Sequence, residues 1–221
     1  MSTNADFELY AFWRTAATHR VRIALNMKGL LANERFVDLD KAEQTSPAFL
    51  AISPAGVIPA LIEDSYPPLT QSMAILEFLE EKVADPPLLP SDLHGRARVR
   101  SISAMLVTDT NPLLPPRVKK YLTLHGGFDE AAWHAWQVQW LTSSLESLER
   151  RLASESQTGE FCHGDHPTMA DICLVSLVFR AQALQIDLDS TPTIRDIVKN
   201  CAALDAFARA HPLLQEGAPS R

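Results

Sequence analysis

Residues 84–90 contain three prolines, and the apolar residues on the two sides of that stretch recur with different periods. A proline removes an amide donor and its ring collides with the preceding helical turn, so no helix crosses the segment and it serves as a linker. On its N-terminal side short apolar runs alternate with helical stripes. Residues 8–12 read as a strand, residues 18–28 as a helix closed by Gly29, and residues 34–39 as a second strand with alternating polarity. Residues 46–52 supply one or two helical turns, residues 58–62 a third strand, and Leu69 and Thr70 a hairpin partner beyond the Tyr66-Pro67-Pro68 turn. Residues 71–83 place Met73, Ile75, Leu76, Phe78 and Leu79 on one helical stripe, which completes the order βαβαββα.

On the C-terminal side the reading is helical throughout. Residues 94–105, 117–123, 130–152, 169–185 and 194–209 carry helical spacing and no strand pattern. Asn111-Pro112 and Pro115-Pro116 predict a break after the first of these. Thr168 three residues ahead of Asp171 has the spacing of a capping box, with aspartate in place of glutamate. Trp133, Trp136 and Trp140 fit a packed helix face, and residues 215–221 read as a loose tail. An α/β domain over residues 1–86 and an all-α domain over residues 87–221 follow.

Composition narrows the function. The net charge of -7 comes without any basic block, which makes a nucleic-acid phosphate backbone a poor partner. Cys162, Cys173 and Cys201 are too far apart for a redox pair or a zinc knuckle. No apolar run approaches the ~20 residues of a bilayer span, and the polar start and unpaired cysteines point to a reduced cytoplasm without membrane attachment. His94, His125, His134 and His163 form no metal-ligand pattern.

Three local motifs add to the element order: Tyr10-Ala-Phe-Trp-Arg-Thr-Ala-Ala-Thr-His-Arg-Val-Arg-Ile-Ala-Leu25, Val57-Ile-Pro-Ala-Leu61 and Thr70-Gln-Ser-Met-Ala-Ile-Leu76. With the stretches around Arg117 and Asp171, the chain over residues 9–212 resembles the glutathione transferases, most of all the zeta class, which includes maleylacetoacetate and maleylpyruvate isomerases. The resemblance implies a thioredoxin-like first domain that binds glutathione, a helical second domain that binds a small acidic or electrophilic substrate, and a homodimer. It further implies a reaction in which glutathione adds to a cis double bond, the bond rotates, and elimination leaves the trans product. A zeta-like transferase acting on small electrophilic acids and a non-catalytic glutathione-binding or scaffold protein share the same fold.

Candidate site residues follow from the two readings together. On the residues alone Thr15 starts a helix, with Thr18 competing for the cap. By resemblance it occupies the first serine position of the zeta motif and would hold the thiolate, aided by the helix N-terminus, Arg14 and His19. Ala16 and Ala17 stand where the second serine and the cysteine commonly stand. Pro59 resembles the family's cis proline, with the Ile58 backbone pairing to the cysteinyl unit, and Gln71 and Ser72 would hold the γ-glutamyl carboxylate at a helix start. Asp109 resembles an aspartate that reaches the γ-glutamyl amine in a neighbouring subunit. Gln44 would offset Val57, which stands in place of a glutamine at the glycyl end. Arg14 and Arg117 match diacid-binding arginines, whereas Gln182 and Ala183 occupy the place of a third, with Arg180 one helical step away.

Overall fold

The computed structural model describes residues 5–219; the first residues of the polar start and the last two of the tail lie outside the described residues. Its chain forms two compact units, Met1–Leu88 with Ala203–Arg221, and Leu89–Ala202.

In the first unit β1 (Phe7–Ala11) buries Phe7, Leu9 and Ala11 on one face. Helix α1 (Ala16–Met27) carries the chain back to β2 (Ala32–Phe36), which pairs parallel to β1, as a crossover helix allows. After the short α2 (Pro47–Leu50), strand β3 (Ala60–Ile62) runs antiparallel to β1 and β4 (Leu69–Thr70) antiparallel to β3, giving the sheet order β2-β1-β3-β4. Helix α3 (Ser72–Lys82) packs on α1, and Val21, Ile23, Leu25, Ile75, Leu76 and Leu79 fill the core beneath them. This is the expected thioredoxin-like arrangement.

Two strand boundaries differ from expectation for identifiable reasons. β2 lies at the sheet edge with Asn33, Glu34 and Arg35 exposed, so pairing with β1, and not burial, sets its limits. β3 begins at Ala60 because Pro59 has no amide to give the ladder. Gly29, at φ +66, follows the last turn of α1 in the left-handed conformation that glycine adopts without a Cβ penalty.

The linker is held from inside the first unit. Lys28 Nζ donates to Glu80 Oε2 at 2.8 Å and to the carbonyls of Val83 and Pro86 at 2.6 and 2.7 Å. Glu80 Oε2 also accepts the Leu88 amide at 2.7 Å.

The second unit is built from α4 (Leu93–Ala104), α5 (Pro116–Gly126), α6 (Glu130–Ser154), α7 (Met169–Ala183) and α8 (Pro192–Ala202). Beyond Ala104, α4 opens into a π turn over Met105–Thr110 and a 3-10 turn over Asn111–Leu113, where the prolines predicted a break. The capping box forms: Asp171 accepts from the Thr168 amide and hydroxyl at 2.7 and 2.8 Å and from the Cys162 amide at 2.7 Å. Glu149 of α6 accepts the amides of Thr193 and Ile194 at 3.0 and 2.9 Å, placing a carboxylate at the positive end of α8. Trp133 is buried, while Trp136 donates its indole N–H to Leu113 O at 2.9 Å and Trp140 is partly exposed.

The helix expected over residues 194–209 is two helices. Leu204 is extended (φ -86, ψ 130), and α9 (Asp205–Arg209) packs on α1 of the first unit, where Asn26 Nδ2 donates to Ala206 O at 2.9 Å. Nor is the described part of the tail loose. Gln215 Nε2 donates to Arg209 O and His211 O at 2.9 and 3.0 Å, and Gly217 lies so close to Phe36 that an added Cβ would sit 2.3 Å from its ring.

Candidate active site

The strand register gathers the candidate residues of the first unit. Tyr10 pairs with Ala60, and Ala60 with Thr70, so one row crosses β1, β3 and β4. Beyond that row, at the same end of the sheet, lie the loop to Thr15, the Ile58-Pro59 pair and the start of α3 at Gln71 and Ser72.

Thr15 is the N-cap of α1, and Thr18 is not. The Thr15 oxygen accepts the Thr18 amide at 3.4 Å, and its hydroxyl lies 2.7 Å from the Thr18 hydroxyl. The first turn of α1 contains no acidic residue, so nothing there neutralises the positive helix end. Ala16 is buried and Ala17 half-buried.

Around Pro59 the backbone is tightly shaped. Ser53 Oγ donates to Val57 O at 2.8 Å, which clamps the loop ahead of Ile58, whose backbone lies outside the β-ladder. Gln44 is drawn to this loop, its carbonyl oxygen lying 3.1 Å from where a Cβ on Gly56 would stand. The Gln44 Oε1 atom is buried without a hydrogen-bond partner. An orphaned buried acceptor costs about 1–3 kcal/mol, which a ligand N–H would recover.

At the start of α3, Gln71 adopts φ +70, ψ 109 and its side chain makes no cap hydrogen bond. A non-glycine residue in this region of backbone space is strained, and such strain concentrates at ligand sites. Ser72 is buried, and its Oγ accepts from Arg20 Nε at 3.0 Å. Arg20 was not singled out from sequence, although an arginine inside the apolar face of α1 signals a buried partner.

His19 and Arg14 stand differently from expectation. His19 is buried at 2% exposure, and burial, with Arg22, His211 and Arg20 nearby, lowers its pKa to about 3. It is neutral near pH 7 and adds no positive potential, and its burial removes it from direct contact with a substrate. Arg14 is exposed, ion-paired to Asp40 and placed over the Phe12 and Trp13 rings at 5.2 and 5.7 Å. An incoming carboxylate would compete with Asp40 for it.

In the second unit Arg117 lies exposed in the first turn of α5, whose N-cap is Pro115, without a side-chain cap bond. Asp109 is exposed in the π turn, a local geometry frequent at functional sites. Arg180 is tied to the fold, donating to Leu114 O at 2.5 Å and Gln137 Oε1 at 2.8 Å. All three cysteines are free and buried, and burial raises the Cys162 and Cys201 thiols above their ordinary range, which leaves those two unsuited as nucleophiles.

Comparison with known proteins gives the family. The glutathione S-transferase N-terminal domain model matches residues 5–81 and the C-terminal domain model residues 131–213. A maleylpyruvate isomerase of Ralstonia sp is 42% identical over 94% of this chain and 98% of its own length. A holo structure of maleyl pyruvate isomerase, described as a bacterial zeta-class glutathione S-transferase, superposes with a TM-score of 0.92 at 40% identity, covering 96% of this chain and 100% of the other. A maleylacetoacetate isomerase from Methylobacterium extorquens AM1, with bound malonate and GSH, gives a TM-score of 0.94 at 46% identity, again covering 96% and 100%. The chain therefore belongs to the glutathione S-transferase family and groups with its zeta-class isomerases.

Proposed function

We propose that this protein is a glutathione-dependent cis-trans isomerase of a maleyl-type diacid, maleylacetoacetate or maleylpyruvate. The observation that carries the reading is the convergence of the Thr15-capped helix start, the Ile58–Pro59 pair ahead of β3 and the strained Gln71-Ser72 helix start at one end of the sheet. Residues 1–86 would bind glutathione and residues 87–221 the diacid.

The residues present suit a bound tripeptide. Ile58 offers backbone groups outside the ladder, Ser72 a hydroxyl at a helix start, and Gln44 a buried acceptor in want of a donor. When bound, glutathione supplies the nucleophilic thiolate. Thr15 and the amides of the first turn of α1 stabilise that anion, drawing the thiol down from its free pKa of ~8.5. Arg117 serves a substrate carboxylate through charge-assisted hydrogen bonds, Arg14 is a further cation of the kind that binds such a group, and Asp109 serves the γ-glutamyl amine across a twofold dimer.

A dimer runs at about twice the 24.5 kDa chain mass in solution. A monomer would contradict the role given to Asp109. The buried free thiols suit a reduced cytoplasm, and among the described residues no helix is long and apolar enough to cross a membrane.

One observation favours a second reading, a non-catalytic glutathione-binding protein: Ala16 and Ala17 supply neither hydroxyl nor thiol beside Thr15. Calorimetric titration tests the binding part of the proposal. Glutathione should bind alone, and malonate should bind more tightly to the glutathione-loaded protein. Malonate binding that ignores glutathione would contradict coupled binding of the two.

A further inference from the structure

We propose that Arg20 is a positioning residue that fixes the direction of the Ser72 hydroxyl toward the α-carboxylate of the γ-glutamyl group of glutathione. The inference rests on the glutathione reading above.

A serine hydroxyl has one proton and two lone pairs, whereas a guanidinium has donors only. With Arg20 Nε donating into Ser72 Oγ at 3.0 Å, the serine cannot donate back, and its proton must point away from Arg20. Ser72 is the first residue of α3 and is preceded by β4, so no carbonyl of an earlier helical turn stands ready to accept that proton. The hydroxyl is thereby a donor set beside the amides of a helix start, the arrangement that receives an anion.

The rigidity of the pair supports the assignment. Arg20 is 2% and Ser72 5% exposed, so water contributes little to orienting either group. The bond joins α1 to α3, 52 residues apart in sequence. A charge-assisted donor on one lone pair also polarises the hydroxyl, strengthening the bond it gives on the other side.

The test compares glutathione with 4-aminobutyryl-cysteinyl-glycine, which lacks only the α-carboxylate, by calorimetric titration of wild type, R20M, S72A and the double variant. R20M should weaken glutathione about tenfold, the range of one charge-assisted hydrogen bond, while leaving the truncated ligand within about twofold. In the S72A background R20M should add almost nothing, and R20K should recover part of the loss. Equal weakening of both ligands, or additive losses in the double variant, would show that Arg20 only supports the fold and would overturn the assignment. Should R20M fail to fold, R20Q, shorter and uncharged, carries the same comparison. Wild type that does not bind glutathione would overturn the underlying reading, a result distinct from any failure among the variants.

Discussion

Thr15 and Thr18 hold their hydroxyls 2.7 Å apart across the first turn of α1, with Thr18 fully buried beneath. Either hydroxyl can give or accept that bond. When Thr15 turns its proton toward a thiolate, Thr18 can donate to the Thr15 oxygen, so the two form a short relay that stiffens and polarises the donor. Replacing Thr15 with alanine should lower kcat/KM about 100-fold and raise the pKa of the bound thiol, read from thiolate absorbance against pH. Serine at this position should retain most of the activity. An alanine variant with unchanged thiol pKa would remove Thr15 from the chemistry.

Arg117 is predicted to act in substrate binding alone. R117A should raise KM for the diacid about 10- to 100-fold, the scale of a lost charged hydrogen bond, with the glutathione Kd unchanged. The α5 helix holds no buried residue, so the substitution should leave the unfolding midpoint where it was. Steady-state kinetics at varied diacid and fixed glutathione separate the two; an unchanged KM would exclude the carboxylate role.

The Lys28–Glu80 pair makes a prediction about stability. Lys28 has no exposed side chain, Glu80 is 9% exposed, and together they fasten three backbone groups of residues 83–88. Removing one partner leaves a buried charge uncompensated, so K28M should lower the urea unfolding free energy by about 3–5 kcal/mol. Loss below about 1 kcal/mol would mean that the linker is held by other contacts.

His19 links stability to acid. Its folded pKa of about 3 lies below the ordinary 6.5, so between those values the unfolded chain binds more protons than the folded one. Stability from this group is complete above pH 6.5 and falls as the pH drops toward 3. Urea midpoints measured from pH 7 downward should decline, and H19Q should show a shallower decline over that window. Parallel curves for the two proteins would contradict the buried neutral histidine.

Much of the architecture was legible in sequence because burial and period coincide there. β1, α3 and α6 each carry a clear apolar pattern, and the prolines marked the break after α4. β2 starts two residues and ends three residues ahead of the expected strand because an exposed edge strand has little hydrophobic signal. The turn at Leu204 is invisible to helical spacing, since it redirects the chain without changing polarity. The motifs set Pro59 beside a strand and Ser72 at a helix start, which is where the structure has them. Arg20 was missed and His19 misjudged because charge and partnership depend on what α1 faces, which a single sequence does not state.

The most direct test follows the cis-enol absorbance of maleylpyruvate or maleylacetoacetate mixed with the purified protein, with and without glutathione, while free glutathione is assayed. The account predicts rapid loss that requires glutathione yet leaves its concentration unchanged. No loss by a protein that demonstrably binds glutathione would contradict the isomerase assignment and favour the binding role suggested by Ala16 and Ala17.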